Sequence, residues 1–343
     1  ETGVTQTVWW RYYDPAVLIA EQLGASPAHL WYPPMGGNSP LLLMNKAAGH
    51  IQAGDFDVAI ITGGEAYRTR MTELKKGNRS PWDRQNEDTK PTWGESDLMD
   101  MGHQAEIALG VLMPTQTYPL LENALRHEAG RSAVEHTRHI AELWAGFSAV
   151  AADNPYSADR TVYSAEEIAE VTPSNRMIGF PYTKHMVSNP DVNSATAAIV
   201  VSAETARSLG IPSDQWVFVR AGTDGVDPYL STRPDFVSSA AIRIAGNRAL
   251  ELAGVSVDEI AHLDVYSCFP SAVEIACKEL GIETSRPLTT YGGLCFAGGP
   301  WNNPVGHAIS ATIEELRADP GSTGFVTANG GNLQKHAFGV YST

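Results

Sequence analysis

Thiols, an imidazole, a phenol and three carboxamides are the groups in this sequence whose type and placement can do chemistry. Cys268 stands between a strand-like run and a helix that opens at Pro270. A cysteine there is a nucleophile if a helix terminus favours its thiolate. Otherwise it is a small buried residue. Cys295 lies in the glycine-rich run Tyr291-Gly-Gly-Leu-Cys-Phe-Ala-Gly-Gly-Pro300, where it can line a pocket, whereas Cys277 falls inside a helix and reads as core. Tyr266 is either a packing aromatic or, with a lowered pKa, a general acid/base. His307, near a helix start, is a proton acceptor or a solvated side chain. Asn38, Asn303 and Asn329 each flank a glycine or proline, and their amides can converge as donors at one pocket. No Cys/His spacing suggests zinc, so no metal is expected, and there is no Walker or GxGxxG loop.

The elements that must position these groups centre on residues 32–65. Ser39-Pro40 reads as a helix start, with a hydroxyl N-cap and proline at the first helical position. Residues 41–44, 47, 48 and 51 are apolar around most of the circumference, as in a buried helix, and Gly54 stops it. Val58–Thr62 suits a fully buried strand, and Gly63-Gly64 a turn. The free amides at the start of such a helix favour an anion, a thiolate or an oxyanion. Glycine loop, helix, strand and Gly-Gly recur in the same order at 292–331. The echo predicts two similar halves whose glycine loops meet at a central pocket.

Along the rest of the chain, strands are expected at Val4–Trp10, Thr196–Val201, Trp216–Ala221, Leu263–Tyr266, Gly324–Ala328 and Ala337–Tyr341. Helices are expected at Pro15–Leu23, Thr117–His127, Ala203–Leu209, Phe236–Ala253, Pro270–Leu280 and Val305–Leu316. Capping boxes open at Ser132, Ser164 and Ser256. Residues 66–190 read as a large helical insertion. Its polar start carries Lys75, Lys76, Arg79, Arg84 and Lys90, either a solvated loop or a basic patch for a phosphate-bearing ligand. The abrupt beginning suggests that residues upstream of Glu1 are missing.

Composition narrows the classes. The 343 residues are 43% hydrophobic and 18% charged, enough for a large core. A net charge of −15 argues against non-specific nucleic-acid binding. Three cysteines in the last quarter are no disulfide framework, and no apolar run is long enough for a membrane span. A cytoplasmic protein is expected.

These features together resemble the thiolase superfamily, most closely the branch of sterol-carrier-protein-x thiolases and bacterial acetyl-CoA acetyltransferase or lipid-transfer thiolase-like proteins. The matching segments are Ile51–Glu65, Asn175–Lys184 with Asn193–Val201, Tyr266-Ser-Cys-Phe269 where that branch has His-Asp-Cys-Phe, Gly292-Gly-Leu, and Thr327-Ala-Asn-Gly-Gly331. The resemblance implies an α/β fold of duplicated α-β-α-β-α layers with a helical loop-domain insertion. It assigns 1–65 plus 191–210 to the N-terminal half, 66–190 to the loop domain and 211–343 to the C-terminal half.

Thiolases use a cysteine nucleophile at the start of the buried helix, an activating histidine in Gly-His-Pro and an acid/base cysteine in Cys-x-Gly. Here the nucleophile position falls on Gly37 or Asn38, the histidine on Gly299 or Asn303, and the second cysteine on Ala328. Of these loops only Cys268 keeps the family residue. The resemblance therefore implies a protein that binds an acyl-CoA thioester, with CoA as ligand and no other cofactor, and that lacks conventional thiolase activity. Tyr266, Cys268 and His307 remain as catalytic candidates, and Asn38, Cys295, Asn303 and Asn329 as ligand-binding ones. The alternatives are a CoA-ester lyase, cleaving a steroid or lipid side chain by a retro-aldol step at Tyr266, and a non-catalytic partner subunit of a hetero-complex. A homodimer or higher oligomer is expected, formed through the strand after the buried helix.

Overall fold

A computed structural model describes residues 2–4, 12–79, 82, 85–86, 88–89 and 102–343. Two sheets carry the fold. The first runs β2 (Leu30–Trp31), β1 (Thr2–Val4), β3 (Val58–Ala66), β6 (Asn193–Val201), with β1 parallel to both its neighbours and β6 antiparallel to β3. The second runs β7 (Phe218–Val226), β10 (Lys335–Ser342), β9 (Thr323–Gly330), β8 (His262–Asp264), with β10 antiparallel to both its neighbours. The strand expected at Val4–Trp10 falls largely outside the described residues.

Two helices lie between the sheets: α2 (Ser39–Ala53) packs on β3, β6, β7 and β10, and α11 (Pro304–Ala318) on β6, β8, β9 and α2. Outside the first sheet lies α1 (Pro15–Leu23); outside the second lie α9 (Asn247–Ala253) and α10 (Pro270–Leu280). These are the α-β-α-β-α layers of the expected α/β fold. Between β3 and β6 the chain makes α3 (Tyr67–Lys75), α4 (Gln104–Ala108), α5 (Pro114–Glu128), α6 (Ala133–Asp153), α7 (Ala165–Ala169) and a small hairpin of β4 (Met177–Gly179) and β5 (Tyr182–Thr183). Helix α8 (Ala203–Ser208) follows β6. Among the described residues no helix is long and apolar enough to cross a membrane.

Local chemistry explains most helix starts. Ser132 and Ser164 close their capping boxes with Glu135 and Glu167, and Pro270 and Pro304 take first-turn positions where no N–H is needed. Ser39 does not cap: Asn38 is the cap residue, without a side-chain bond, and Ser39 Oγ donates to Pro34 O at 2.8 Å. Nor is α2 buried throughout. Leu41, Leu43, Met44 and Ala47 are covered, but Gly49, His50, Gln52 and Ala53 are exposed. Asn45, inside α2, donates to Thr223 O and Phe338 O and ties the helix to β7 and β10.

Three other expectations change. Gly63-Gly64 is not a turn but continues β3, and a Cβ on Gly64 would stand 2.8 Å from Ala195 Cβ on β6. Strand β3 alternates between covered and part-covered residues instead of being buried on both faces. The helix expected at Phe236–Ala253 starts at Ala240 and contains a wide turn at Ile242–Gly246 that runs into α9. Among the described residues β3 pairs with β6 along its length on one side and with β1 beside Ile60–Thr62 on the other, so it is an inner strand of its sheet. Among the described residues the edge strand on that side is β6, where Ile199 is 70% exposed.

Candidate functional site

A cavity of about 1140 Å³ opens where the start of α2, the start of α5, the 173–191 segment and the 294–302 loop meet the ends of β8 and β9. Its floor is polar, formed by Tyr118, Tyr266, Cys268 and Asn329 beside Gly37. Its walls are largely apolar, with Met35, Leu112, Ile178, Val187, Phe296 and Trp301. Arg176 and Lys184 bring positive charge to it. Gly37 of the first glycine loop and Leu294, Cys295, Phe296 and Gly299 of the second line the same cavity, and α2 approaches the end of β9 at Gly36, Gly37 and Gly330.

Strand β8 delivers Tyr266 just past its end, where the Tyr266 amide donates to Thr327 Oγ1 at 3.0 Å. The phenol lies against Gly37 at the first turn of α2. Burial raises its pKa well above the ordinary tyrosine value, and the neighbouring Cys268 adds to this. Tyr266 is therefore a neutral O–H donor, not the lowered-pKa base considered from sequence. Cys268 is similarly corrected: burial pushes its thiol up to about 12, so no thiolate is favoured there.

Asn329 Nδ2 donates to Tyr118 Oη at 2.8 Å and reaches Cys268 Sγ at 3.7 Å, while Asn329 Oδ1 is buried with no hydrogen-bond partner. Tyr118 Oη donates to Gly331 O and accepts from the Leu333 amide, and its ring stacks on Phe269 with centroids 4.4 Å apart. Sequence reasoning missed Tyr118, Arg176, Lys184 and His185. No local pattern marks them, because they reach the cavity from an insertion whose docking is a long-range property. Cys295 stands in the cavity wall, its thiol donating to His185 O at 3.1 Å and its pKa raised by burial. Cys277 is buried in α10, away from the cavity lining.

Three candidates lie elsewhere. His307 does not line the cavity: it sits in the first turns of α11, with its ring against Tyr291 at 6.5 Å and its pKa lowered by burial to about 4. Asn38 covers Gly36 and Gly330, where a Cβ would collide with its side-chain oxygen. Asn303 is spent inside the fold, donating to Gly63 O at 2.8 Å and Thr196 Oγ1 at 3.0 Å. Asn303→Ala should cost about 1–3 kcal/mol in urea unfolding, since it removes a donor from the buried Gly63 carbonyl and from the part-buried Thr196 hydroxyl, with little change in ligand affinity. Of the basic stretch, Lys76 pairs with Glu73 at 2.8 Å while Lys75 and Arg79 are exposed; none lines the cavity, and Arg84 and Lys90 lie outside the described residues.

No family model matches the chain. Among solved structures, a monomeric SCP2-thiolase-like protein type 1 from Mycobacterium smegmatis is similar at 36% identity and TM-score 0.82, over 100% of this chain and 67% of that one. The chain belongs to the thiolase superfamily. The fold is shared further with an Ltp2–ChsH2(DUF35) aldolase, at 16% identity and TM-score 0.75 over 100% and 87% of the two chains. It is also shared with the dimeric peroxisomal thiolase of Saccharomyces cerevisiae, at 15% identity and TM-score 0.66 over 100% and 84%.

At the positions that the thiolase resemblance assigns to catalysis, the geometry is specific. A Cβ on Gly37 would collide with Tyr266 Oη and stand 2.6 Å from Asn329 O and 2.8 Å from Tyr266 Cζ. A Cβ on Gly299 would collide with Ser188 Oγ. Ala328 is buried in β9, paired with Ala337, and is not part of the cavity lining.

Proposed function

We propose that this thiolase-superfamily chain binds an acyl-CoA or related thioester in the cavity and does not work through the acyl-enzyme of conventional thiolases. The observation that carries this reading is the filled space at Gly37. At the helix start that would present a nucleophile, the hydroxyl of Tyr266 lies against Gly37 instead. The apolar walls suit an acyl group, and Arg176 and Lys184 suit the phosphates of a CoA ester. Calorimetric titration with CoA, acetyl-CoA and a bulky acyl-CoA should show binding with an acyl preference, and intact-mass analysis should show no covalent adduct. Thiolysis of acetoacetyl-CoA at an ordinary thiolase rate would sink the non-covalent reading; no binding of any of the three would sink the ligand.

A second reading rests on Tyr266 itself. Its hydroxyl has no hydrogen-bond partner among the described residues, faces the cavity and stays protonated. Such a group can donate a proton or a hydrogen bond to a substrate oxygen, as a retro-aldol cleavage of a CoA ester on a steroid or lipid side chain requires. On this reading Tyr266→Phe abolishes turnover and leaves acyl-CoA affinity unchanged. For assembly, as a dimer or with a small partner subunit, the open β6 edge is the surface we favour over β3.

A further inference from the structure

One layer behind the cavity wall, three helices bring metal-binding side chains together. Phe269 lines the cavity, the Tyr182 ring packs on Phe269 at 5.3 Å, and Tyr182 Oη donates to Glu122 Oε2 at 2.6 Å. Around Glu122 of α5 stand His136 of α6 and Glu274 of α10, with one donor atom of each within 4.8 Å of the other two. Glu122 and His136 are fully buried, with His136 Nε2 2.5 Å from Glu122 Oε1. Glu274 keeps 12% of its side chain exposed, and its Oε2 is buried without a hydrogen-bond partner. His139, one turn along α6, reaches Glu274 Oε1 at 3.0 Å.

Two facing carboxyls, one fully and one mostly buried, are costly unless a proton or a cation lies between them. The fixed cation nearest the cluster is Arg131, with Nη1 3.6 Å from Glu274 Oε1 and 3.3 Å from His136 Nδ1. Its side chain is 34% exposed.

We propose that Glu122, His136 and Glu274 bind a divalent transition cation of the zinc class, with His139 orienting Glu274 from the rim. One imidazole and two carboxylates suit such an ion better than magnesium or calcium, which take oxygen ligands. Bonds of about 2.0–2.2 Å in a tetrahedral site set ligand atoms roughly 3.3 Å apart, so separations of up to 4.8 Å close and the 2.5 Å His136–Glu122 contact opens by side-chain adjustment. Coordination through His136 Nε2 moves the ring proton to Nδ1. Arg131, which donates to Nδ1 at 3.3 Å, then has to withdraw. The three ligands are far apart in sequence, so no spacing motif announces them.

The test uses the whole chain, stripped by dialysis against a chelator and titrated with Co²⁺. The expected result is one equivalent bound, with the visible absorption of four-coordinate Co²⁺, displaced by Zn²⁺. Glu274→Gln should remove this binding. His139→Ala should weaken it about ten- to a hundredfold, the range for a group that supports a ligand. Arg131→Ala should strengthen it severalfold, a gain that a merely structural role for Arg131 would not give. No stoichiometric cobalt, or a cobalt signal unchanged in Glu274→Gln, overturns the proposal and leaves a shared proton as the occupant of the gap. Should Glu274→Gln not fold, the opposite shifts in the His139 and Arg131 variants decide: their absence overturns the site.

Discussion

Gly37→Cys should yield a less stable protein and no acyl-enzyme. Restoring the nucleophile of a thiolase looks like a simple repair in sequence. In the structure the new Cβ would overlap Tyr266 Oη and crowd the Asn329 carbonyl. One of those groups is backbone held against β10 at the end of β9, so relief must come from the tyrosine or from a shift of α2. Overpacking of this kind costs about 1–3 kcal/mol. Tyr266→Phe should give little relief, because Tyr266 Cζ would still stand 2.8 Å from the new atom. Tyr266→Ala should give more. In a double-mutant cycle by urea unfolding, Gly37→Cys should cost less in the Tyr266→Ala background than in the parent, a coupling of roughly 1–2 kcal/mol. A Gly37→Cys protein as stable as the parent, and acylated by acetyl-CoA, would show that the floor yields easily.

The second large effect is in pH. Asp264, at the end of β8, is buried and accepts from Thr289 Oγ1, Thr290 N and Thr290 Oγ1. Burial raises its pKa from 3.8 to about 7, against the opposing pull of those hydrogen bonds. In the unfolded chain the same carboxyl ionises near its ordinary value. Between about pH 4 and pH 7 the native state therefore holds a proton that the unfolded state has released. Stability falls as pH rises through that window and levels off above it. The difference corresponds to up to about 4 kcal/mol, at roughly 1.4 kcal/mol per pH unit. Asp264→Asn keeps an acceptor and cannot ionise, so its stability should be flatter from pH 4 to pH 7, measured by urea unfolding at each pH. Parallel curves for parent and variant would mean that Asp264 is ionised in the fold. The residue matters to the cavity because it ties β8, which carries Tyr266, to the threonines that lead into the second glycine loop.

What could be read from the sequence was local. Ser132 with Glu135, Ser164 with Glu167, and the prolines at 270 and 304 act within one helical turn, and the helices begin where those residues say. Gly64 was opaque because its reason is Ala195, on a strand reached only after the whole insertion. Asn303 resembles a ligand donor in sequence, and only the fold shows that Gly63 and Thr196 already use it. Tyr266 stood out as a substitution at a family motif. That its hydroxyl fills the place beside Gly37 depends on two segments meeting across the molecule. Tyr118 gave no signal at all, since a tyrosine in an amphipathic helix reads as packing.

The position of β10 has a consequence for how the protein is made. It lies between β7 and β9 and is the only partner of β7 in that sheet among the described residues. A chain leaving the ribosome thus carries residues 218–226 as an unpaired strand throughout the synthesis of residues 227–334. It also carries β9 with one edge open until Lys335–Ser342 emerge. Strands that wait for a distant partner fold slowly and are exposed to wrong pairing in the interval. The cavity floor shares that delay, because Asn329 is fixed in β9 opposite His336. The site cannot exist until residues as late in the chain as Asn329 and its partner His336 have been made.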